Sequence, residues 1–97
     1  PVNTIIVPGL AVPNAFSPNG DGVNDKVFVR GFGIAKMMFR IFNRWGEVVF
    51  ITDNQSVGWD GFHRGKLQPQ DVYHYTLDVE FVDGQKIVKK GDITLLR

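Results

Sequence analysis

The sequence of 97 residues contains no cysteine, which excludes a thiol nucleophile, a disulfide framework and a thiolate metal site. It also has little excess of either charge, because 11 lysine and arginine residues face 10 aspartate and glutamate residues. A net charge of +1 is too small to organise a phosphate backbone, so we expect no nucleic-acid partner. No apolar run approaches the roughly 18 residues of a membrane-spanning helix. We therefore do not expect the chain itself to be membrane-spanning.

Residues that favour helices are scarce as well. Alanine and leucine occur 3 and 5 times, whereas valine, isoleucine and phenylalanine occur 13, 7 and 8 times. β-Branched and aromatic side chains suit the pleated, half-buried surface of a sheet. A chain of this length also forms one hydrophobic core rather than two. The composition therefore predicts a single all-β domain.

The sequence shows no motif of a catalytic site. The two serines, Ser17 and Ser56, lie outside any Gly-x-Ser-x-Gly motif, so a nucleophilic triad would have to be assembled by tertiary contacts alone. The two histidines, His63 and His74, are eleven residues apart, and a zinc site would need more donors. We predict that the protein is not an enzyme and takes no small-molecule substrate.

Alternation of apolar and polar residues marks the strand candidates in the middle of the chain. Residues 36–43 place Met37, Phe39 and Ile41 on one face, and residues 48–52 resume the pattern. The intervening turn contains Gly46, which tolerates a positive φ, so the two segments are predicted to form a hairpin. A weaker strand candidate covers residues 26–30.

The last third of the chain has the clearest strand pattern. Residues 71–82 place five apolar side chains on one face and polar side chains on the other: Tyr73, Tyr75, Leu77, Val79 and Phe81 form the apolar set. Asp83-Gly84 is a strong hairpin signal, and residues 85–90 and 92–96 form the predicted return strand. Gly91 interrupts that strand, where we expect a β-bulge.

About seven short strands of this kind are the number expected of an immunoglobulin-like antiparallel β-sandwich, which is the predicted fold. Residues 1–12 differ from the rest. Pro8 and the following Pro13 each remove a hydrogen-bond donor from a ladder. We therefore expect a linker with an edge strand around residues 5–7.

A loop at residues 14–25 is dense in glycine, proline, asparagine and aspartate. Asn19, Asp21 and Asp25 are oxygen donors with glycines between them, a spacing that can wrap a hard cation. The loop is therefore a candidate calcium site. It lacks the terminal glutamate and the flanking helices of an EF-hand, and the alternative is that these residues only form turns with their own backbone.

Trp45 and Trp59 each lie beside a glycine turn at the end of a strand. Core packing is the commoner fate of tryptophan, and its indole N–H can be satisfied by a loop carbonyl. We therefore predict that both rings are packed, with Gly46 and Gly61 allowing the turns and Asp60 forming a turn rather than acting as a general base. The alternative is an exposed aromatic platform for a sugar.

Several motifs in the same order resemble the gliding-motility-associated C-terminal domains of Bacteroidetes. Residues 12–25 (VPNAFSPNGDGVND) are similar to the opening signature of that family, and residues 41–50 (IFNRWGEVVF) resemble its central hairpin. Residues 59–61 resemble its Trp-Asp-Gly turn, residues 72–75 its next strand and residues 91–97 its terminal strand. The resemblance covers about residues 10–97, and the histidine at position 74 is a small departure from it.

The resemblance implies a type B C-terminal sorting domain of the type IX secretion system. Such a domain directs a large cargo, a surface adhesin or a secreted enzyme, across the outer membrane. It implies translocon or shuttle proteins as partners, transit through the periplasm, and a secreted or cell-surface location. Residues 1–9 are then a linker or edge segment from the upstream parent chain, and residues 10–97 form the sorting domain.

We predict that the translocon recognises the C-terminal edge, through Ile93, Leu95, Leu96 and Arg97. The end of a chain is accessible to a partner without threading, and an exposed edge can accept a partner strand. The alternative is that Ile93 and Leu95 fill the core. A rival function for the whole domain is an immunoglobulin-like binding or spacer module of an adhesin, recognising glycan or protein through Trp45 and the loops.

Overall fold

The computed structural model describes residues 10–18 and 25–96, and the edge strand predicted around residues 5–7 lies outside them. The described residues contain strands and no helix, so none of them forms a helix that could span a membrane. The strands are β1 (Ala15–Phe16), β2 (Ile34–Phe42), β3 (Val48–Thr52), β4 (Phe62–His63), β5 (Lys66–Leu67), β6 (Asp71–Phe81) and β7 (Lys86–Leu95).

The strands form two sheets, as a β-sandwich requires. The large sheet has the order β1-β7-β6-β2-β3, and β4 and β5 form a separate hairpin. The predicted all-β sandwich is confirmed, but the large sheet is mixed rather than wholly antiparallel, because β1 pairs with β7 in parallel. Local patterning could not predict this pair, since its two strands lie near opposite ends of the chain.

Both predicted hairpins are present. The turn between β2 and β3 closes with the Gly46 N–H donating to the Asn43 carbonyl at 3.0 Å. In the turn between β6 and β7, the Gly84 N–H donates to the Phe81 carbonyl at 2.9 Å. Gly46 and Gly84 have φ values of 80° and 89°, a region that glycine enters without steric cost.

The core lies on the inner face of the large sheet. All five predicted apolar residues of β6 are buried there, and Phe39 and Ile41 of β2 are fully buried beside them. Val27, Val29 and Trp59 cover this face from the other layer. Val27 and Trp59 exchange backbone hydrogen bonds of 2.9 and 3.0 Å, so the strand predicted at residues 26–30 is reduced to isolated bridges at Val27 and Arg30.

Gly91 does not form the predicted bulge. β7 is continuous from Lys86 to Leu95, and Gly91 pairs in register with Tyr75 of β6. A Cβ added at Gly91 would lie 2.8 Å from the Tyr75 ring. Glycine is therefore needed because a neighbouring ring covers the backbone at this point, a tertiary cause that the sequence pattern does not reveal.

Candidate functional site

The strand directions bring several sequence-predicted residues to one end of the sandwich. Phe42, at the end of β2, pairs with His74 of β6, and Asp71, at the start of β6, pairs with Leu95 of β7. We call this region the C-terminal end: the turn at residues 43–47, the segment 68–71 and Leu96. At the opposite end, the turn at residues 31–33 adjoins the β6–β7 turn.

The turn at residues 43–47 is held rigidly by one asparagine. The Asn43 Oδ1 atom accepts hydrogen bonds from the backbone N–H groups of Trp45 at 2.9 Å and Glu47 at 3.0 Å. Its Nδ2 group donates to the Glu47 carboxylate at 3.0 Å, and its backbone N–H donates to the Glu47 carbonyl at 2.9 Å. Asparagine favours such turns because its side chain can bond nearby backbone groups.

Trp45 is exposed, and the prediction that it packs in the core is wrong. Its relative exposure is 81%, although the glycine turn beside it forms as predicted. The physical reason is its place at a hairpin tip, where no second layer covers it. The Arg44 guanidinium, 5.9 Å from the ring centroid, is the cation that the structure places over the indole.

Arg44 is fixed from the neighbouring strand. Its Nε atom lies 3.0 Å from the Asp71 Oδ2 atom, and the Asp71 side chain is the more buried partner. A shallow pocket of about 340 Å³ lies between the turn and residues 68–71. Sequence reasoning missed both Arg44 and Asp71 as site residues. No sequence signal could pair them, because the contact depends on the β2–β6 register.

Trp59 behaves as predicted. It has no exposed surface, its indole N–H donates to the Phe62 carbonyl at 3.0 Å, and its ring contacts several core aromatics. The Asp60 carboxylate accepts the Phe62 backbone N–H at 3.0 Å, so Asp60 forms the predicted turn. Gly61 has a φ of 86°, and a Cβ there would lie 3.0 Å from Pro18. Trp59 and Gly61 are therefore buried in the core, and Asp60 forms the turn between them at the surface.

The C-terminal strand contributes both core and surface. Ile93 and Leu95 have no exposed surface, whereas Leu96 is 40% exposed. The Leu96 N–H still donates to the Phe16 carbonyl at 2.9 Å, which continues the pairing of β1 with β7. Arg97 lies outside the described residues. The alternative that Ile93 and Leu95 fill the core is thus confirmed, and the recognition role of this edge stays a prediction.

Asn19 and Asp21 of the candidate calcium loop also lie outside the described residues. Asp25, the last residue of the loop, is partly buried. Among residues 10–18 and 25–96, no three acidic or histidine side chains come together in a way that could hold a metal ion. The calcium site therefore stays a prediction about the loop itself.

The outer side of β7 has no strand partner among residues 10–18 and 25–96 over much of its length. Within the described residues, β1 pairs with β7 only at Thr94 and Leu95. The rest of this edge carries Lys86, Lys89 and Lys90, and Lys89 faces the inner side, opposite Leu77. Lysines on an edge strand, above all inward-facing ones, oppose pairing with another chain.

The fold of the chain is similar to that of a solved structure. The crystal structure of CopC from Methylosinus trichosporium OB3b is similar to this chain, with a TM-score of 0.57 and 15% sequence identity. The similarity covers 88% of this chain and 84% of that one. At this identity the likeness shows the fold alone. A comparison with curated proteins gave no match.

The family follows from the sequence itself. The model of the CHU_C type IX secretion signal domain matches residues 10–95, nearly the whole chain. The chain therefore belongs to the type IX secretion signal domain family, as the motif resemblance predicts. This is a secretion signal family rather than an enzyme family. Membership implies a secreted or cell-surface protein that interacts with the type IX secretion machinery.

Proposed function

We propose that this domain is a C-terminal sorting signal that directs a large cargo protein, an adhesin or a secreted enzyme, through the periplasm and across the outer membrane. The observation that carries the proposal is the family match over residues 10–95. The structure supports it in one respect. Folded recognition domains present their contacts on turns and edges held by a rigid core, and the C-terminal end has this arrangement.

Within this function, we infer that Leu96 and Arg97 are presented to the translocon. Ile93 and Leu95 anchor β7 in the core, and Leu96, directly after them, is exposed. The strand can therefore hold Leu96 at the surface in a defined position. This division of roles separates the residues that keep the strand in place from those that a partner can contact.

A reporter fusion tests the sorting function. Residues 10–97 are fused to the C-terminus of an inert, folded periplasmic reporter in a bacterium with a working type IX system. We expect the fused reporter at the cell surface or in the medium, and the unfused reporter in the periplasm. Retention of the fused reporter in the periplasm, with the domain folded and a longer fusion containing residues 1–9 equally retained, would contradict the proposal.

Deletion of Leu96 and Arg97 tests the role of the last residues. The deletion removes an exposed side chain and one backbone hydrogen bond, whose net worth is about 1 kcal/mol. We expect export to fall much more than the melting temperature does. An equal loss of export and stability would show that the two residues are structural.

The exposure of Trp45 favours a second candidate function, a binding or spacer module of an adhesin. A module of that kind has no requirement to stand at the end of its parent chain, whereas the sorting signal does. Moving residues 10–97 from the C-terminus of the reporter to its N-terminus separates the two functions. Export from the C-terminal position alone would support the sorting signal, whereas export from neither position would favour a passive module that travels with its parent.

A further inference from the structure

The exposed tryptophan stands on a turn that is built to hold it in one place. Asn43 fixes the backbone of Trp45 and Glu47 through its side-chain oxygen, with both distances at or below 3.0 Å. The position of the indole is therefore restricted before any partner binds. Restriction of this kind lowers the entropy cost of association.

Packing does not account for Trp45. Only about a fifth of its surface is covered, and a Cβ added at the adjacent Gly46 would meet no described atom within 4 Å. A side chain with so little covered surface adds little burial free energy, so a polar residue would serve this turn equally well. The residue type at this position is thus unexplained by the stability of the fold.

Arg44 adds a directed charge to the exposed ring. Asp71 binds its Nε atom at 3.0 Å, which orients the guanidinium over the indole. The contact with Asp71 uses Nε, and the Arg44 side chain is 61% exposed. The terminal nitrogens Nη1 and Nη2 of a guanidinium can bind a carboxylate in bidentate fashion.

We propose that Trp45 and Arg44 together form the anchor by which a protein of the secretion machinery docks on this domain. The partner that fits them has an apolar pocket for the indole, flanked by a carboxylate for the exposed guanidinium of Arg44. Tryptophan and arginine are the residue types most enriched at the energetic centres of protein interfaces. The proposal rests on the sorting function and names a partner surface for it.

Two other occupants fit the geometry less well. A sugar stacks on an open ring face, whereas the Arg44 guanidinium lies over the Trp45 ring. A partner strand requires a free edge, and the part of β7 that pairs with no described strand carries inward and outward lysines that oppose pairing. A projecting indole instead fits into a pocket of a folded partner.

Export of the reporter fusion tests the anchor, with the melting temperature of each purified domain measured in parallel. Trp45→Ala should lower export by about tenfold or more, the loss expected of one interface centre worth more than 1.4 kcal/mol. Arg44→Gln should lower it by a smaller factor, and Trp45→Phe should retain part of it. None of these exposed substitutions should change the melting temperature by more than 2 to 3 °C, which is about 0.5 kcal/mol for a domain of this size.

Phe32 provides the matched control. It is an exposed aromatic residue, 84% accessible, in the turn at the opposite end of the sandwich. Phe32→Ala removes a similar apolar area and should leave export unchanged. If Phe32→Ala and Trp45→Ala lower export equally, exposed apolar area rather than a located anchor is responsible, and the proposal is overturned.

The remaining outcomes are also decisive. Wild-type export of Trp45→Ala would overturn the anchor while leaving the sorting function intact, whereas failure of the unmodified fusion would remove the sorting function itself. The wild type and Trp45→Ala should both sediment as monomers. If the wild type sediments as a dimer and Trp45→Ala as a monomer, the ring serves self-association instead, and the proposal is overturned. A shift in Trp45 fluorescence with millimolar glucose or galactose would assign it to sugar.

Discussion

Trp59 and Trp45 stand in similar local surroundings and have opposite environments. Each lies close to the end of a strand and beside a glycine with a positive φ. The glycine near Trp59 is Gly61, with a φ of 86°, and the glycine next to Trp45 is Gly46, with a φ of 80°. Trp59 has no exposed surface, whereas Trp45 is 81% exposed. The difference must come from what lies opposite each ring, because the neighbouring turn chemistry is alike.

Trp59 faces the inner side of the large sheet. Its ring centroid lies 5.3 Å from that of Phe16 and 5.1 Å from that of Tyr73, and its backbone pairs with Val27. Trp45 lies at the tip of the β2–β3 hairpin. Its ring lies beside the Arg44 guanidinium, which forms an ion pair with Asp71. One turn therefore closes the core and the other extends from it. Stability and recognition are assigned to different tryptophans.

Truncating the two tryptophans gives the largest expected contrast. Trp59→Ala should lower the free energy of unfolding by about 3 to 5 kcal/mol, because it leaves a cavity among core aromatics. Trp45→Ala should lower it by less than about 0.5 kcal/mol. Urea unfolding of both variants measures the difference. Similar losses would show that the hairpin tip contributes to the core after all.

The two turn glycines sharpen the same contrast. Gly46→Ala meets only the strain of a positive φ, about 1 to 2 kcal/mol. Gly61→Ala adds a Cβ that lies 3.0 Å from Pro18 and 3.3 Å from Leu67, so overpacking adds about 1 to 3 kcal/mol. Thermal or urea unfolding should therefore rank Gly61→Ala as the more destabilised variant. The reverse order would contradict the packing assigned to the Trp-Asp-Gly turn.

Calcium bound to Asn19, Asp21 and Asp25 should stabilise the part of the fold around Trp59. The reason is that Pro18, directly before Asn19, lies close to Gly61. A site with a Kd of 0.1 to 1 mM would add about 0.4 to 1.4 kcal/mol at millimolar calcium. Chelator should then lower the melting temperature of the wild type. The Asp21→Ala, Asp25→Ala double variant should not respond. An unchanged wild-type melt would leave these residues as turn formers.

The smallest expected effect is a pH dependence of the stability of the fold, caused by Tyr75 on the buried face of the large sheet. Burial raises the pKa of the Tyr75 hydroxyl above its ordinary value of 10.0, and the Asp92 carboxylate raises it further. Above pH 10 the unfolded chain therefore releases this proton before the folded chain does, and stability falls as pH rises. Melting curves between pH 8 and 11 should show a shallower decline for Tyr75→Phe. Parallel declines would contradict the perturbed pKa.

The local sequence pattern was sufficient to predict those strands and turns whose partners are close in the sequence. The alternation in β6 predicted its buried face, and the glycines at positions 46 and 84 predicted both hairpin turns. The hairpin of β4 and β5 was missed, although Arg64 and Gly65 have the two positive φ values of a tight turn. Arginine is an uncommon first residue in such a turn, so the sequence carried little signal for it.

Features set by distant partners could not be predicted. Gly91 indicated a bulge until the Tyr75 ring above it was known, and the parallel pairing of β1 with β7 joins segments almost 80 residues apart. The exposure of Trp45 belongs to the same class. Its local chemistry matches that of Trp59, and only the absence of a covering layer at the hairpin tip distinguishes the two.

A footprint in exporting cells tests the division between core and docking end most directly. The chain has no cysteine, so the single variants V48C, beside the Trp45 turn, and V82C, at the opposite end, can each be labelled without background. Val48 and Val82 are both exposed, at 37% and 76%. In periplasmic cargo, maleimide labelling of the V48C thiol should be slower in cells with the secretion machinery than in cells without it, and labelling of the V82C thiol should be equal in both. Equal labelling at position 48, or protection at position 82 alone, would contradict docking through the C-terminal end.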